Sequence, residues 1–205
     1  MSKITDIKQQ KRSKGRFSVY VDGKYGFSLG DLELSMSGLR VEQELTDEAI
    51  EKYREQGEEA KAYHKALGYI GIRPRSEWEM REYLLRKEYA DETVEAVLVR
   101  LRKVGLIDDL AFAQSWVANR QALKPSSRRR LEQELAVKRV GREEISAALS
   151  GLDDDVELIA LVGQMEKKRR LAQYQEQEKL IGYFGRQGYS YDLIKKALER
   201  LNEQS

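Results

Sequence analysis

The sequence predicts a mainly α fold: three tandem three-helix repeats, each helix-turn-helix-like, forming an elongated array, with a small N-terminal β-hairpin or sheet. Three observations lead there. Met80, Leu84, Tyr89, Val94 and Leu98 form an apolar row that recurs 51 residues later as Leu131, Leu135, Val140, Ile145 and Leu149. It recurs again, 100 residues after the first, as Leu180, Phe184, Tyr189, Ile194 and Leu198. Large apolar positions returning at one spacing mark tandem structural units, which present a long surface instead of enclosing one pocket. The punctuation recurs too, with Pro74 and Ser76 matched by Pro125 and Ser127. Ahead of the repeats, residues 16–21 alternate polar and apolar, the period of a strand.

The N-terminal segment is read as antiparallel. Asp22-Gly23 separates two alternating runs and suits a type I′ turn, because Gly accepts positive φ at no steric cost. Residues 4–8 are expected to add a third strand, with residues 11–16 as a basic loop between it and the hairpin. Helix is expected from Thr46 or Asp47, with Glu48 and Glu51 in the first turn, to about Ile70, where Gly71 and Pro74 break it.

Ser76 and Glu79 have the spacing of a capping box, opening a helix that carries Met80 and Leu84. Tyr89, Ala90 and Asp91 are read as ending that helix and capping the next. Val94, Val97, Leu98 and Leu101 have the i, i+3, i+4, i+7 spacing of a buried stripe, closed by Gly105. Asp108 is read as the cap of a helix bearing Phe112, Ala113 and Trp116. Ser127 caps the next, and Gly151 closes the third helix of that unit. The run Asp153, Asp154 and Asp155 opens a helix that is expected to extend as a polar arm past Arg170 and Gln173. A final helix pair breaks at Gly188-Tyr189-Ser190. The units are expected at residues 1–45 (N-terminal extension), 46–105, 106–152 and 153–205.

Composition narrows the chemistry. Of 205 residues, 35% are charged, which suits amphipathic helices with wide solvated faces. There is no Cys and one His, His64, which removes disulfides, thiolate zinc sites and any site needing two imidazoles. His64 itself reads as an ordinary helix-surface residue. No apolar run approaches the roughly 20 residues of a membrane-spanning helix, and the polar start does not read as a signal peptide. No phosphate-cradling glycine loop, zinc-protease helix or calcium loop is present, and no constellation supports catalysis, so no enzyme, cofactor or metal is expected.

The net charge of +2 conceals segregation. Residues 1–31 hold seven Lys/Arg against three Asp/Glu, residues 32–60 three against nine, and residues 105–142 eight against four. Basic stripes of this kind are a candidate footprint for a polyanion or an acidic protein surface, and equally the solvated faces of ordinary helices. The densest basic stretch joins Lys124, Arg128, Arg129 and Arg130, with Arg120 before it and Lys138, Arg139 and Arg142 after. Three arginines in a first helical turn oppose the helix dipole, which calls for either an anionic partner or an acid from elsewhere in the chain. Lys167, Lys168, Arg169 and Arg170 stand at a helix C-terminus, where cations suit the dipole. The repeat register aligns Trp78 with Arg129 and Glu178, so Trp78 is expected to face solvent, either as an interface aromatic or packed across a neighbouring unit. Trp116, beside Phe112, is expected to face the core.

Residues 75–89 (RSEWEMREYLLRKEY), 97–109 (VLVRLRKVGLIDD), 112–120 (FAQSWVANR) and 124–135 (KPSSRRRLEQEL) strongly resemble the RecX family of bacterial regulators of recombination. The resemblance covers roughly residues 60–200, and the basic N-terminal extension is similar to that of longer family members. It implies a cytoplasmic, monomeric protein that binds RecA recombinase filaments on single-stranded DNA, lying in the filament groove. It further implies inhibition of ATP hydrolysis, strand exchange and the coprotease activity that triggers the SOS response. No active site is implied. Arg120, Lys124, Arg128, Arg129, Arg130, Lys138, Arg139 and Trp78 are the candidate contacts with filament or DNA. Three units side by side would reach on the order of 60–70 Å, enough to bridge several subunits of a polymer.

Two other readings stand beside it. One is a direct DNA-binding helical protein, possible double-stranded DNA included; the acids Glu143 and Glu144 beside Arg142 weaken major-groove readout by that helix. The other is a generic helical scaffold for protein interaction.

Overall fold

The computed structural model describes residues 1–11 and 13–203, with Lys14 described by its backbone alone. The chain is mainly α with a small N-terminal sheet, and it divides into two compact units. One comprises Met1–Arg75 and Glu79–Ile107, the other Ser76–Trp78 and Asp108–Ser205.

In the first unit, β1 (Ser2–Gln10), β2 (Ser13–Val21), β3 (Lys24–Gly30) and β4 (Glu44–Leu45) form an antiparallel sheet in the order β3-β2-β1-β4. The β2–β3 turn has φ of 48° at Asp22 and 76° at Gly23, the positive pair that a type I′ turn demands. The expected basic loop is mostly absent: residues 13–16 belong to β2, and Arg12 lies outside the described residues. A helix that the periodicity did not announce, α1 (Asp31–Ser37), follows β3 and ends at Gly38 with φ 66°.

Helix α2 (Asp47–Ile70) starts where Thr46 accepts from the Ala49 amide at 3.2 Å. It lies so close to β3 that a Cβ on Gly57 would come within 2.0 Å of the Ser28 carbonyl oxygen. That approach closes a core of Ile4, Val19, Phe27, Leu29 and Leu45, with Tyr53 of α2 stacked on Phe27 at 5.4 Å. Helices α3 (Glu77–Leu85) and α4 (Asp91–Lys103) pack with the second half of α2 around Ala62, Ala66, Met80, Leu84, Val97, Leu98 and Leu101. The N-cap of α4 is Ala90, without a side-chain bond, and Asp91 contributes charge in the first turn instead.

The second unit contains α5 (Asp109–Leu123), α6 (Arg128–Val137), α7 (Arg142–Ser150), α8 (Asp154–Arg169), α9 (Gln177–Arg186) and α10 (Tyr191–Glu203). Asp108 caps α5 by accepting from the Ala111 amide at 2.9 Å. Two cores result: one around Phe112, Val117, Leu131, Leu135 and Ile145, the other around Leu161, Met165, Leu180, Phe184, Ile194 and Leu201. The expected polar arm does not form. The α8 helix stops at Arg169, and the chain makes a 3-10 turn at Ala172–Tyr174, tucking Tyr174 edge-on against Tyr183 at 5.3 Å.

All fifteen positions of the threefold apolar row are buried. One backbone feature also recurs at equivalent positions. Glu88, Arg139 and Gly188 each follow the second helix of a repeat in the left-handed region, with φ of 63°, 57° and 90°.

Candidate partner-binding surface

The basic stretch of the second unit is organised by α6. Its first turn holds three arginines and no acid, and the acid that the dipole calls for comes from α8. A Glu157 carboxylate oxygen accepts from the Arg128 amide at 3.1 Å. The Ser127 hydroxyl serves both ends of the junction, accepting from the Arg130 amide at 3.2 Å and donating to the Gln187 carbonyl at 2.8 Å.

The equivalent residues Ser76 and Glu77, which belong to the second unit, repeat this joint. Ser76 donates to the Lys138 carbonyl at 3.0 Å, and Asp109 accepts from the Glu77 amide at 2.8 Å. Burial pushes the Asp109 carboxyl above its ordinary range; the Glu77 amide pulls the other way, and the negative charges of Glu77, Glu144 and Asp108 add to the rise.

Geometry divides the eight candidate contacts. Arg128 is half-buried and turned back onto the chain: its guanidinium donates to the Leu149 carbonyl at 2.8 Å and the Leu152 carbonyl at 2.6 Å, closing the end of α7, with Asp154 at 3.6 Å. Glu134 collects two more. Arg120 reaches it at 2.8 Å and Arg130 at 3.4 Å, while the Trp116 indole N–H donates to it at 2.9 Å. Arg130 also bonds to the Gln187 side chain. Lys138 lies 4.4 Å from the Trp116 ring centroid, and Arg120 lies 5.2 Å from it. Trp116 is thus half-buried against the core and covered by cations, a desolvated π face that attracts them. These four basic residues are tied into the fold.

Lys124, Arg129 and Arg139 differ. All three are exposed, and among the described residues their side chains have no ion-pair or hydrogen-bond partner. Trp78 is exposed at 37%, and Arg129 and Glu178, its counterparts in the register, are exposed as well. The faces of the repeats therefore vary while the core row does not. The pair Arg120–Glu134 likewise corresponds to Tyr69 and Tyr83, whose rings stack at 4.0 Å in the first unit.

Sequence reasoning missed Leu123, which is 85% exposed beside Lys124, and its counterpart Ile72, 77% exposed beside Arg73. The signal was present as a repeated apolar–basic–proline triplet, Ile72-Arg73-Pro74 and Leu123-Lys124-Pro125. Arg73 is not available in the same way, since it forms a two-pronged pair with Glu79 at 2.9 Å on each arm. Among the described residues, no group of three or more His, Asp or Glu is placed to hold a metal ion, and no helix is long and apolar enough to cross a membrane.

Comparison with known proteins agrees with this architecture. Residues 2–46 match the family model described as the regulatory protein RecX N-terminal domain. Residues 62–101 match the first three-helix domain of RecX, and residues 108–149 the second. The regulatory protein RecX of Listeria monocytogenes serotype 4a is 30% identical over 199 residues, covering 95% of this chain and 74% of that protein. The one from Bacillus pumilus is 29% identical over 205 residues, covering 97% of this chain and 77% of its own length. A crystal structure of a regulatory protein RecX superposes with a TM-score of 0.77 at 27% identity, covering 97% of this chain and all of that one. RecX from Lactobacillus salivarius, at 21% identity and a TM-score of 0.64 over 70% of this chain, shares the fold. The chain belongs to the RecX family of regulatory proteins.

Proposed function

We propose that this chain is a cytoplasmic, monomeric regulator that binds RecA recombinase filaments on single-stranded DNA and inhibits their ATP hydrolysis, strand exchange and coprotease activity. Residues 46–105, 106–152 and 153–205 act as three units that each meet a different part of the filament. The observation that carries this reading is the division of the basic stretch. Among the described residues Lys124, Arg129 and Arg139 keep their charge unpaired at the surface, with the exposed Leu123 beside Lys124, while Arg120, Arg128 and Arg130 hold the fold.

An exposed apolar residue beside a cation, with arginines on the next helix, is a composition that protein interfaces use. A regulator that touches several subunits binds according to their relative geometry, so it favours one filament state over others and slows passage through the ATPase cycle. Direct duplex readout is the weaker reading, because α7 opens with Glu143 and Glu144 beside Arg142, and carboxylates there repel phosphate.

The test is a recombinase ATPase assay on single-stranded DNA with titrated protein. Inhibition is expected below one protein per recombinase subunit, and the double variant Arg129→Glu/Arg139→Glu is expected to need at least about tenfold more protein. Equal potency on free recombinase and on assembled filaments would contradict the filament-bridging reading. Wild-type potency of the double variant would remove those residues from the contact.

A further inference from the structure

The N-terminal sheet uses one face for its core and leaves the other open. Ile4, Val19, Phe27 and Leu29 are buried on the inner side. The strand register places Asp6, Tyr20 and Tyr25 in one cross-strand row of the outer side, with Lys8 and Ser18 in the next. Tyr25 would fall on the inner face by simple alternation from Phe27. The pairing, however, runs from Val19–Phe27 directly to Tyr20–Tyr25, which leaves Gly26 as a bulge and turns Tyr25 outward. Tyr25 is 57% exposed, and its ring meets that of Tyr20 edge-on at 6.4 Å. The Lys8 ammonium lies 5.5 Å from the Tyr20 centroid. A bulge that re-aims an aromatic side chain into solvent gains no burial, so core packing does not account for it.

The outer face continues into a cavity of about 660 Å³ lined by Tyr25 and Gln10 on the sheet side and by Lys61, His64 and Lys65 of α2 on the other. Arg16 forms part of its wall. It is held rigidly through Nη2, which donates to the Ser28 carbonyl at 3.1 Å, the Ser28 hydroxyl at 2.9 Å and the Gly57 carbonyl at 2.9 Å. Two acids, Asp31 and Glu33, line the cavity as well. Lys61 is partly engaged by Glu58 at 3.4 Å, and Lys8 pairs with Asp6. Lys11 and Lys24 add exposed positive charge at the two ends of the strands.

We propose that this face and cavity bind single-stranded nucleic acid. Bases stack on Tyr25 and Tyr20, and backbone phosphates run past Lys8, Arg16, Lys61 and Lys65. Adjacent aromatic rings on an open sheet face, interleaved with cations, are the physical requirement for such binding: every unpaired base has a π face to stack, and the phosphates need a positive track. A duplex hides its base faces in its own stack and cannot use the tyrosines. An acidic protein would use the cations and leave the tyrosines idle. The inference rests on the proposed function for the source of the strand, which a recombinase filament carries, but the site lies on other residues than the α5–α6 surface.

The test uses the full chain without recombinase, titrated against a fluorescent oligo-dT and followed by anisotropy. Tyr25→Ala is expected to weaken binding about tenfold or more, and Tyr25→Phe to retain it, because the ring and not the hydroxyl is required. Lys8→Gln is expected to make the dependence of affinity on salt shallower by a little under one in slope. Circular dichroism melts identical to wild type confirm that the exposed substitution leaves the fold intact, and ultraviolet cross-linking to bromodeoxyuridine DNA with peptide mapping gives a variant-free readout at Tyr20 or Tyr25. Unchanged affinity in Tyr25→Ala, or cross-links confined to other parts of the chain, overturns the proposal. So does duplex binding as tight as that of single strands with the same indifference to Tyr25. Recombinase inhibition measured in parallel separates the two ideas. An inhibitory wild-type protein whose oligo-dT affinity ignores Tyr25 refutes this site alone; loss of oligo-dT binding in Tyr25→Ala, from a wild-type protein that never inhibits recombinase, refutes the proposed function alone.

Discussion

Arg128 and Arg129 are neighbours in sequence, yet the first donates to the carbonyls of Leu149 and Leu152 while the second is exposed. Reversing all three arginines 128–130 would therefore mix a folding defect with a binding defect. Arg128→Ala is expected to lower unfolding stability by about 1–3 kcal/mol, since it leaves two helix-end carbonyls without a charged donor. Arg129→Ala is expected to stay within about 0.5 kcal/mol of wild type. Urea unfolding checks both, and the order is expected to invert when recombinase inhibition is measured on the folded variants. Asp109 offers a test by pH. Its carboxyl is raised in the folded state, chiefly by burial, so the folded protein favours the protonated form. The group's contribution to stability therefore falls as pH rises through the carboxylate range. Asp109→Asn retains an oxygen for the Glu77 amide and carries no charge. It is expected to match or exceed wild-type stability at pH 7, with the difference shrinking towards pH 3 in a thermal melt series.

At the scale of elements, the left-handed residue after the second helix of each repeat is the clearest recurring device. Gly occupies it only in the third repeat; Glu88 and Arg139 hold the same conformation at the cost of a Cβ contact. Arg139→Gly is expected to gain a few tenths to about 1 kcal/mol in stability, while its loss of charge weakens the proposed contact. Gly188→Ala is expected to lose more than about 1 kcal/mol, because its Cβ would sit at φ 90° and 2.7 Å from the Ser127 hydroxyl that bonds to Gln187. Chemical denaturation of both variants measures these opposite signs. The helices of the repeats were legible because burial follows a local period and their ends carry capping residues such as Thr46, Asp108 and Ser127. Helix α1 was not. Its apolar residues Leu32, Leu34 and Met36 alternate, none is fully buried, and only its left-handed Gly38 marks the end. The arm expected after α8 failed for a related reason: Tyr174 gains a ring contact with Tyr183 only when the chain turns back.

For the whole molecule, the expected behaviour is inhibition of recombinase ATPase below equimolar amounts, lost in Arg129→Glu/Arg139→Glu without loss of fold. By itself the sequence determined the threefold apolar row, the helices that carry it, the type I′ hairpin and the surface position of Trp78, Arg129 and Glu178. Each of these follows from spacing within one element or from comparison of equivalent positions, and such information is linear. Tertiary structure decided which cations remain available. Arg128 finds its acceptors 21 and 24 residues away, and Ser127 finds Gln187 at a separation of 60. No periodicity encodes those meetings, because they depend on how one helix end is set against the next. The same is true of Tyr25, whose outward turn depends on a bulge defined only once β2 and β3 are paired. Charge is therefore readable from composition, but its availability is a property of the packed chain.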